Sequence, residues 1–133
     1  MLYLLDTNAL SDLMATPALR EEWFSSLPAS SSVVICPVVR GEVLFGISRL
    51  AQGKKRAKLE NAARLLFALV PCEPIPVSAG DHYAAIRLSR QQSGRTMDEN
   101  DLWIAATALA LGATLVSRDL DFREIPGLAV IPL

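Results

Sequence analysis

Four acidic side chains stand where short apolar runs have just ended or a helix begins. Asp6 directly follows Tyr3-Leu4-Leu5, Glu42 lies about six residues beyond the run 33–36, and Asp119 comes three residues after Val116. The fourth, Asp101, falls in the first turn of an Ala-rich helical stretch. Each has an ordinary explanation by itself. Asp6 could cap a short helix over 8–14, Asp101 could partner an N-cap at Asp98, Asp119 could be a turn residue, and Glu42 could sit on the surface. Together they mean more, because carboxylates converging on a partly dry pocket repel one another unless protonated or bridged by a cation. Oxygen ligands without His or Cys select a hard ion, Mg²⁺ or Mn²⁺, which keeps several waters and accepts a phosphate. Such a centre suits metal-assisted phosphodiester hydrolysis, in which the ion polarises a phosphoryl oxygen and lowers the pKa of the attacking water.

For these acids to meet, the runs before them must be strands of one sheet. The apolar runs 2–5, 33–36, 75–77, 114–116 and 128–131 read as buried strands. Helical stretches lie between them. Pro17 opens one and Pro37 another that runs towards Leu50, each with proline at the first helical position. Along 54–70, Leu59, Ala62, Ala63, Leu66, Phe67 and Val70 recur at helical steps and form the apolar face of an amphipathic helix. Ser78 with Asp81 approximates a capping box for the next helix, and Gly94 fits as its stop. The last helix, 98–111, is apolar almost all round, and Ala105, Ala106, Ala108 and Ala110 permit close approach to a sheet. Alternating strands and helices predict an α/β fold, a three-layer α/β/α sandwich around a parallel sheet of about five strands. Sites in such folds form at the carboxyl ends of the strands, where the four acids fall.

A chain of 133 residues is expected to form one domain, 1–133, with a core of its own. Hydrophobic residues at 51%, charged residues at 20% and a mean hydropathy of +0.31 exclude a disordered or polyelectrolyte chain. No apolar run approaches the roughly 18 to 20 residues that span a bilayer, and the opening lacks a basic leader, so no membrane is expected and the cytoplasm is the expected location. Cys36 and Cys72 have no metal-ligand spacing and read as small buried hydrophobes, while His82 stands alone. Trp23, Trp103, Phe45 and Phe67 read as core or dimer contacts rather than base-stacking platforms.

The segments Leu5-Asp6-Thr7-Asn8-Ala9-Leu10-Ser11-Asp12, Arg40-Gly41-Glu42-Val43-Leu44-Phe45-Gly46, Asp101-Leu102-Trp103-Ile104-Ala105-Ala106-Thr107-Ala108 and Leu115-Val116-Ser117-Arg118-Asp119-Leu120-Asp121-Phe122 resemble, in order and spacing, the PIN-domain family. The likeness is greatest to ribonuclease toxins of the VapC and FitB type from bacterial toxin–antitoxin pairs. It implies a PIN-like sandwich with Asp6, Glu42 and Asp101 as metal-binding catalytic acids and Asp119 as the fourth. Many relatives have Thr-Arg-Asn followed by Asp-Phe at this place, which leaves Asp121 as the alternative to Asp119. By the same likeness Asn8 and Ser117 position water or the substrate phosphate. The implied cofactor is Mg²⁺ or Mn²⁺, the substrate is RNA, and the products carry 5′-phosphate and 3′-hydroxyl ends. A homodimer is also implied, with a small cognate antitoxin that places a basic side chain among the acids.

Net charge is −1, but residues 1–46 carry −3, residues 47–95 carry +6 and residues 96–133 carry −4. Within the basic middle, Arg87, Arg90 and Arg95 follow a helical spacing that leads towards Asp101, so Arg87 and Arg90 are expected to line an RNA path. The cluster Arg49, Lys54, Lys55, Arg56 and Lys58 reads in part as a solvated face. Two other functions compete. Asp6 after a first strand resembles the nucleophile of a haloacid-dehalogenase-like phosphohydrolase, although Asn8 stands where that family has a second Asp and no Lys follows Lys58. A catalytically silent co-repressor is the other, and the presence of all the acids disfavours it. Gly41 and Gly46 lack the Lys-Ser/Thr that a phosphate-binding loop requires.

Overall fold

Strand β1 (Leu2–Leu5) lies inside a four-stranded sheet in a computed structural model that describes residues 1–133. It pairs with β2 (Ser32–Val34) on one side and β3 (Thr114–Val116) on the other, and β4 (Val130–Ile131) pairs with β3. The order is β2-β1-β3-β4 and every pairing is parallel. Leu5 stands opposite Val116, and the Asp6 N–H extends this ladder by donating to the Val116 carbonyl at 3.1 Å. Asp6 and Ser117 therefore leave adjacent strands at the same level. Successive side chains of a strand face opposite sides of the sheet, yet Tyr3, Leu4 and Leu5 are all buried, so helices cover both faces. This is the layered α/β arrangement that the alternation of elements predicts.

The helices are α1 (Thr7–Ala15), α2 (Pro17–Ser26), α3 (Pro37–Ser48), α4 (Lys54–Leu69), α5 (Ala79–Gln92) and α6 (Glu99–Leu111). Pro17 and Pro37 do open α2 and α3. Helix α1 packs against α2, α3 and α4, α5 packs on α6, and α3 also touches α6. In α6, Ile104, Ala105, Ala106 and Ala108 are fully buried within a core of 29 apolar residues. Gly112, at φ 65°, ends that helix, and the chain turns directly into β3. A short 3-10 turn, Leu120–Glu124, follows β3. No helix is long and apolar enough to cross a membrane.

Several expectations need correction. No strand forms over 75–77, so the sheet has four strands rather than about five. Only Ile35 and Cys72 make an isolated parallel bridge there, because Pro71, Pro74 and Pro76 cannot donate to a ladder. The capping box at Ser78 is absent. Its backbone is already helical, at φ −63° and ψ −16°, and its hydroxyl caps nothing. Cys72 is exposed, whereas Cys36 is buried as expected. Of the aromatic residues read as core or dimer contacts, Trp23 joins the core, edge-on to Tyr3 at 6.2 Å between ring centroids, and Phe45, 67% exposed, is left to the second of these roles.

Candidate active site

Asp6 holds two positions at once. It ends β1, and as N-cap of α1 its Oδ1 accepts the Ala9 N–H at 2.8 Å, so the ordinary explanation of this residue is true as well. It is only 4% exposed. Burial raises its carboxyl above the ordinary Asp value. The Ser117 hydroxyl and the Ala9 N–H pull the other way, the charge of Asp119 raises it further, and that of Arg118 lowers it.

Asp101 sits in the first turn of α6, half-buried, below an N-cap made by Asp98. The Asp98 side chain accepts the Asn100 N–H at 3.1 Å. Burial, followed by the charges of Asp98, Asp119, Glu42 and Asp6, pushes the Asp101 carboxyl up to about 6. The charges of three of the acids expected from the sequence, from three other segments of chain, thus bear on the fourth, Asp101. Asp98 joins them, in addition to the capping role read for it from sequence.

Glu42, on α3, is held from α1, where Thr7 Oγ1 donates to Glu42 Oε1 at 2.5 Å. Thr7 was not among the residues singled out from sequence. Its only local signal is its place at the first position of α1, directly after Asp6. Ser117 is buried at the end of β3, and its Oγ accepts the Asp119 N–H at 3.0 Å, which fixes the turn carrying Asp119. Asp119 in turn caps the 3-10 segment, its Oδ1 accepting the Asp121 N–H at 3.0 Å. Asp121 is exposed, and the charge of Asp119 raises both Asp6 and Asp101. Asn8 is exposed in the first turn of α1.

The two expected arginines part company. Arg87 is exposed on α5, donates to Tyr83 Oη at 2.7 Å, and lies 3.6 Å from Glu99 at the start of α6, near the acids. Arg90 is only 8% exposed, although it lines a surface groove with Arg87 and Arg95. Its guanidinium donates to the Thr96 carbonyl at 3.2 Å and to Glu124 at 3.4 Å, and Arg95 pairs with the same Glu124 oxygen. Arg90 ties the turn after α5 to the 3-10 segment.

No three His, Cys, Asp or Glu side chains close on a point that would hold a metal ion directly. The donors around Asp101 are nevertheless all carboxylates, crowded enough to repel. That donor set fits a hard, hydrated divalent ion, which retains waters between itself and part of its ligands. A groove lined by Pro37, Val38, Gly41, Glu42, Phe45 and Asn100 opens beside them.

The PIN domain family model matches residues 3–128. Ribonuclease VapC2 of Rickettsia felis is 31% identical over 96% of this chain and 95% of its own length. The solved structure of VapBC-1 from nontypeable Haemophilus influenzae superposes with a TM-score of 0.85 at 28% identity, covering 99% of this chain and 98% of that one. FitAcB from Neisseria gonorrhoeae gives 0.79 at 26% identity, over 97% of this chain and 96% of that one.

Proposed function

The chain belongs to the PIN domain family, in the company of the VapC ribonucleases, and from that premise we propose that it is a divalent-metal-dependent endoribonuclease acting as the toxin of a toxin–antitoxin pair. The gathering of Asp6, Glu42 and Asp119 around the half-buried Asp101, whose carboxyl burial and then these charges push up to about 6, carries this reading. These four carboxylates would hold Mg²⁺ or Mn²⁺. When bound, the ion polarises a phosphoryl oxygen and lowers the pKa of water.

The rest of the work falls to side chains of the chain itself. Thr7 holds one oxygen of Glu42 and so steadies the side chain that would reach the ion. Asp6 gives one oxygen to the start of α1, and the Ser117 hydroxyl bonds the same carboxyl, which fixes its orientation. Ser117 keeps Asp6 and Asp119 in register, with Asn8 at the open edge to orient water or phosphate. The haloacid-dehalogenase alternative gains nothing here, because a further acid, Asp119, and not a lysine neighbours Asp6.

RNA is the substrate of this reading, and the cytoplasm its location. A small antitoxin would silence the enzyme by laying a basic side chain among the acids, since a guanidinium can satisfy carboxylates that otherwise need a metal. Exposed Leu44 and Phe45 on α3 support a homodimer through that helix. Incubating the protein with total cellular RNA and sequencing the new ends tests the reading. Cleavage with Mg²⁺ or Mn²⁺, abolished by EDTA and leaving 5′-phosphate ends, is expected. Activity undiminished in EDTA, or 2′,3′-cyclic phosphate ends, would overturn it.

A further inference from the structure

Arg118 is a cation whose charge acts on Asp6. It stands between Ser117 and Asp119, in a turn whose backbone is fixed by the Asp119 N–H bond to Ser117 Oγ. Two residues earlier, Val116 pairs with Leu5 in the centre of the sheet, so Arg118 leaves the same strand ends as the acids. Its side chain reaches across to α1, where Nη1 meets Asp12 Oδ2 at 2.8 Å, a contact between residues 106 apart in sequence. Asp12 engages it through this single nitrogen, and the Arg118 side chain is 66% exposed. Most of the five guanidinium donors are therefore open to solvent.

An exposed ion pair of this kind contributes little to stability. It does hold a long, mobile side chain in one place, beside the carboxylates. The other basic residues near the acids are engaged elsewhere: Arg87 by Tyr83 and Glu99, Arg90 and Arg95 by Glu124. A phosphate approaching the acids meets repulsion from every carboxylate, and one cation of the chain's own offsets it. We infer that Arg118, tethered by Asp12, is a positioning residue that binds a backbone phosphate of the RNA strand entering the carboxylate cluster. The inference rests on the ribonuclease reading for the identity of the strand, but its contact is testable without cleavage.

Fluorescein-labelled oligouridylate of twelve nucleotides is the probe, titrated by anisotropy in EDTA across a salt series. Arg118→Gln is expected to weaken binding about five-fold and to reduce the log–log salt slope by about 0.7, the value for one phosphate contact in single strands. Arg64→Gln, which removes the same charge from the exposed face of α4, sets the size of a general charge effect and is expected to cost less than about two-fold. Arg118→Lys should restore most of the slope, and Asp12→Asn, which frees the side chain but keeps its charge, should weaken binding less than Arg118→Gln and leave the slope unchanged. Equal losses for Arg118→Gln and Arg64→Gln, or a wild type that does not bind the probe at 50 mM salt, would overturn the inference. Binding that depends on Arg118 in a protein that cleaves no RNA would instead overturn the nuclease reading and leave the phosphate contact standing.

Discussion

Thr7 Oγ1 donates to Glu42 Oε1 at 2.5 Å and so joins the first residue of α1 to the second turn of α3 across 35 positions of sequence. The bond fixes a glutamate that has three rotatable side-chain bonds and would otherwise sample several rotamers. If Glu42 holds the ion as proposed, the loss of a partner one step removed from a metal typically costs ten- to a hundred-fold in affinity or activity. Thr7→Val, similar in shape without the hydroxyl, is therefore expected to lower kcat by about ten-fold or more while the melting temperature moves little. Thr7→Ser should retain most of the rate. A Thr7→Val enzyme with unchanged kcat and unchanged metal affinity would mean that Glu42 needs no such support.

Glu124 receives both Arg90 and Arg95, and Arg90 is buried. Removing one member of a buried pair leaves the other charge uncompensated. Because Glu124 itself is partly exposed, the expected destabilisation of Glu124→Gln is on the order of 1–2 kcal/mol, read from urea unfolding. RNA affinity should be unaffected. A variant of full stability with weakened RNA binding would return Arg90 and its neighbours to the RNA path that their helical spacing suggests.

That contrast shows what the sequence could and could not carry. Helical spacing identifies the side of α5 on which Arg87 and Arg90 lie, but not how the turn after it folds back onto Arg90 or that the 3-10 segment, 34 residues on, reaches it. The acids were legible because each follows or starts an element with local signals: an apolar run, a proline at a helix start, a cap at Asp98. Thr7–Glu42 and Arg118–Asp12 were not, because they depend on which elements lie side by side. The missing fifth strand had a signal in plain view, the prolines at 71, 74 and 76, which outweigh the apolar character of Ile75 and Val77.

Asp101 sets a pH dependence of known sign. Burial, with the charges of Asp98, Asp119, Glu42 and Asp6 added, lifts its carboxyl from the ordinary 3.8 to about 6. Between those values the folded chain holds this proton more tightly than the unfolded chain. Its contribution to metal-free stability is thus fully present below pH 3.8 and is lost as pH rises through about 6. Asp101 is only half-buried, so screening by solvent brings the expected loss to on the order of 1 kcal/mol. Urea unfolding in EDTA at pH 4 and pH 7.5 should show the wild type losing this amount relative to Asp101→Asn. The same ionisation prepares the site for a cation, so divalent-metal binding should strengthen as pH rises through about 6. A difference between the two proteins that does not change with pH would place Asp101 in open solvent.

Asp6 combines a cap and a site carboxylate, and two substitutions separate the roles. Asn caps a helix as well as Asp does, so Asp6→Asn keeps an acceptor for the Ala9 N–H while removing a buried negative charge next to Asp119. Its metal-free stability is expected to equal or exceed that of the wild type. Asp6→Ala loses the cap and is expected to fall by about 1 kcal/mol. Both should be inactive on RNA, because neither retains the carboxylate. For the wild type, Mn²⁺ at ten times its dissociation constant adds about 1.4 kcal/mol by mass action. In a domain of this size that raises the melting temperature by about 4–8 °C. The rise should shrink strongly in Asp6→Asn, which has lost a ligand and a charge without losing its fold. An equal rise in the wild type and in Asp6→Asn would mean that Asp6 serves the helix alone, and the metal centre would have to be sought among Glu42, Asp101 and Asp119 without it.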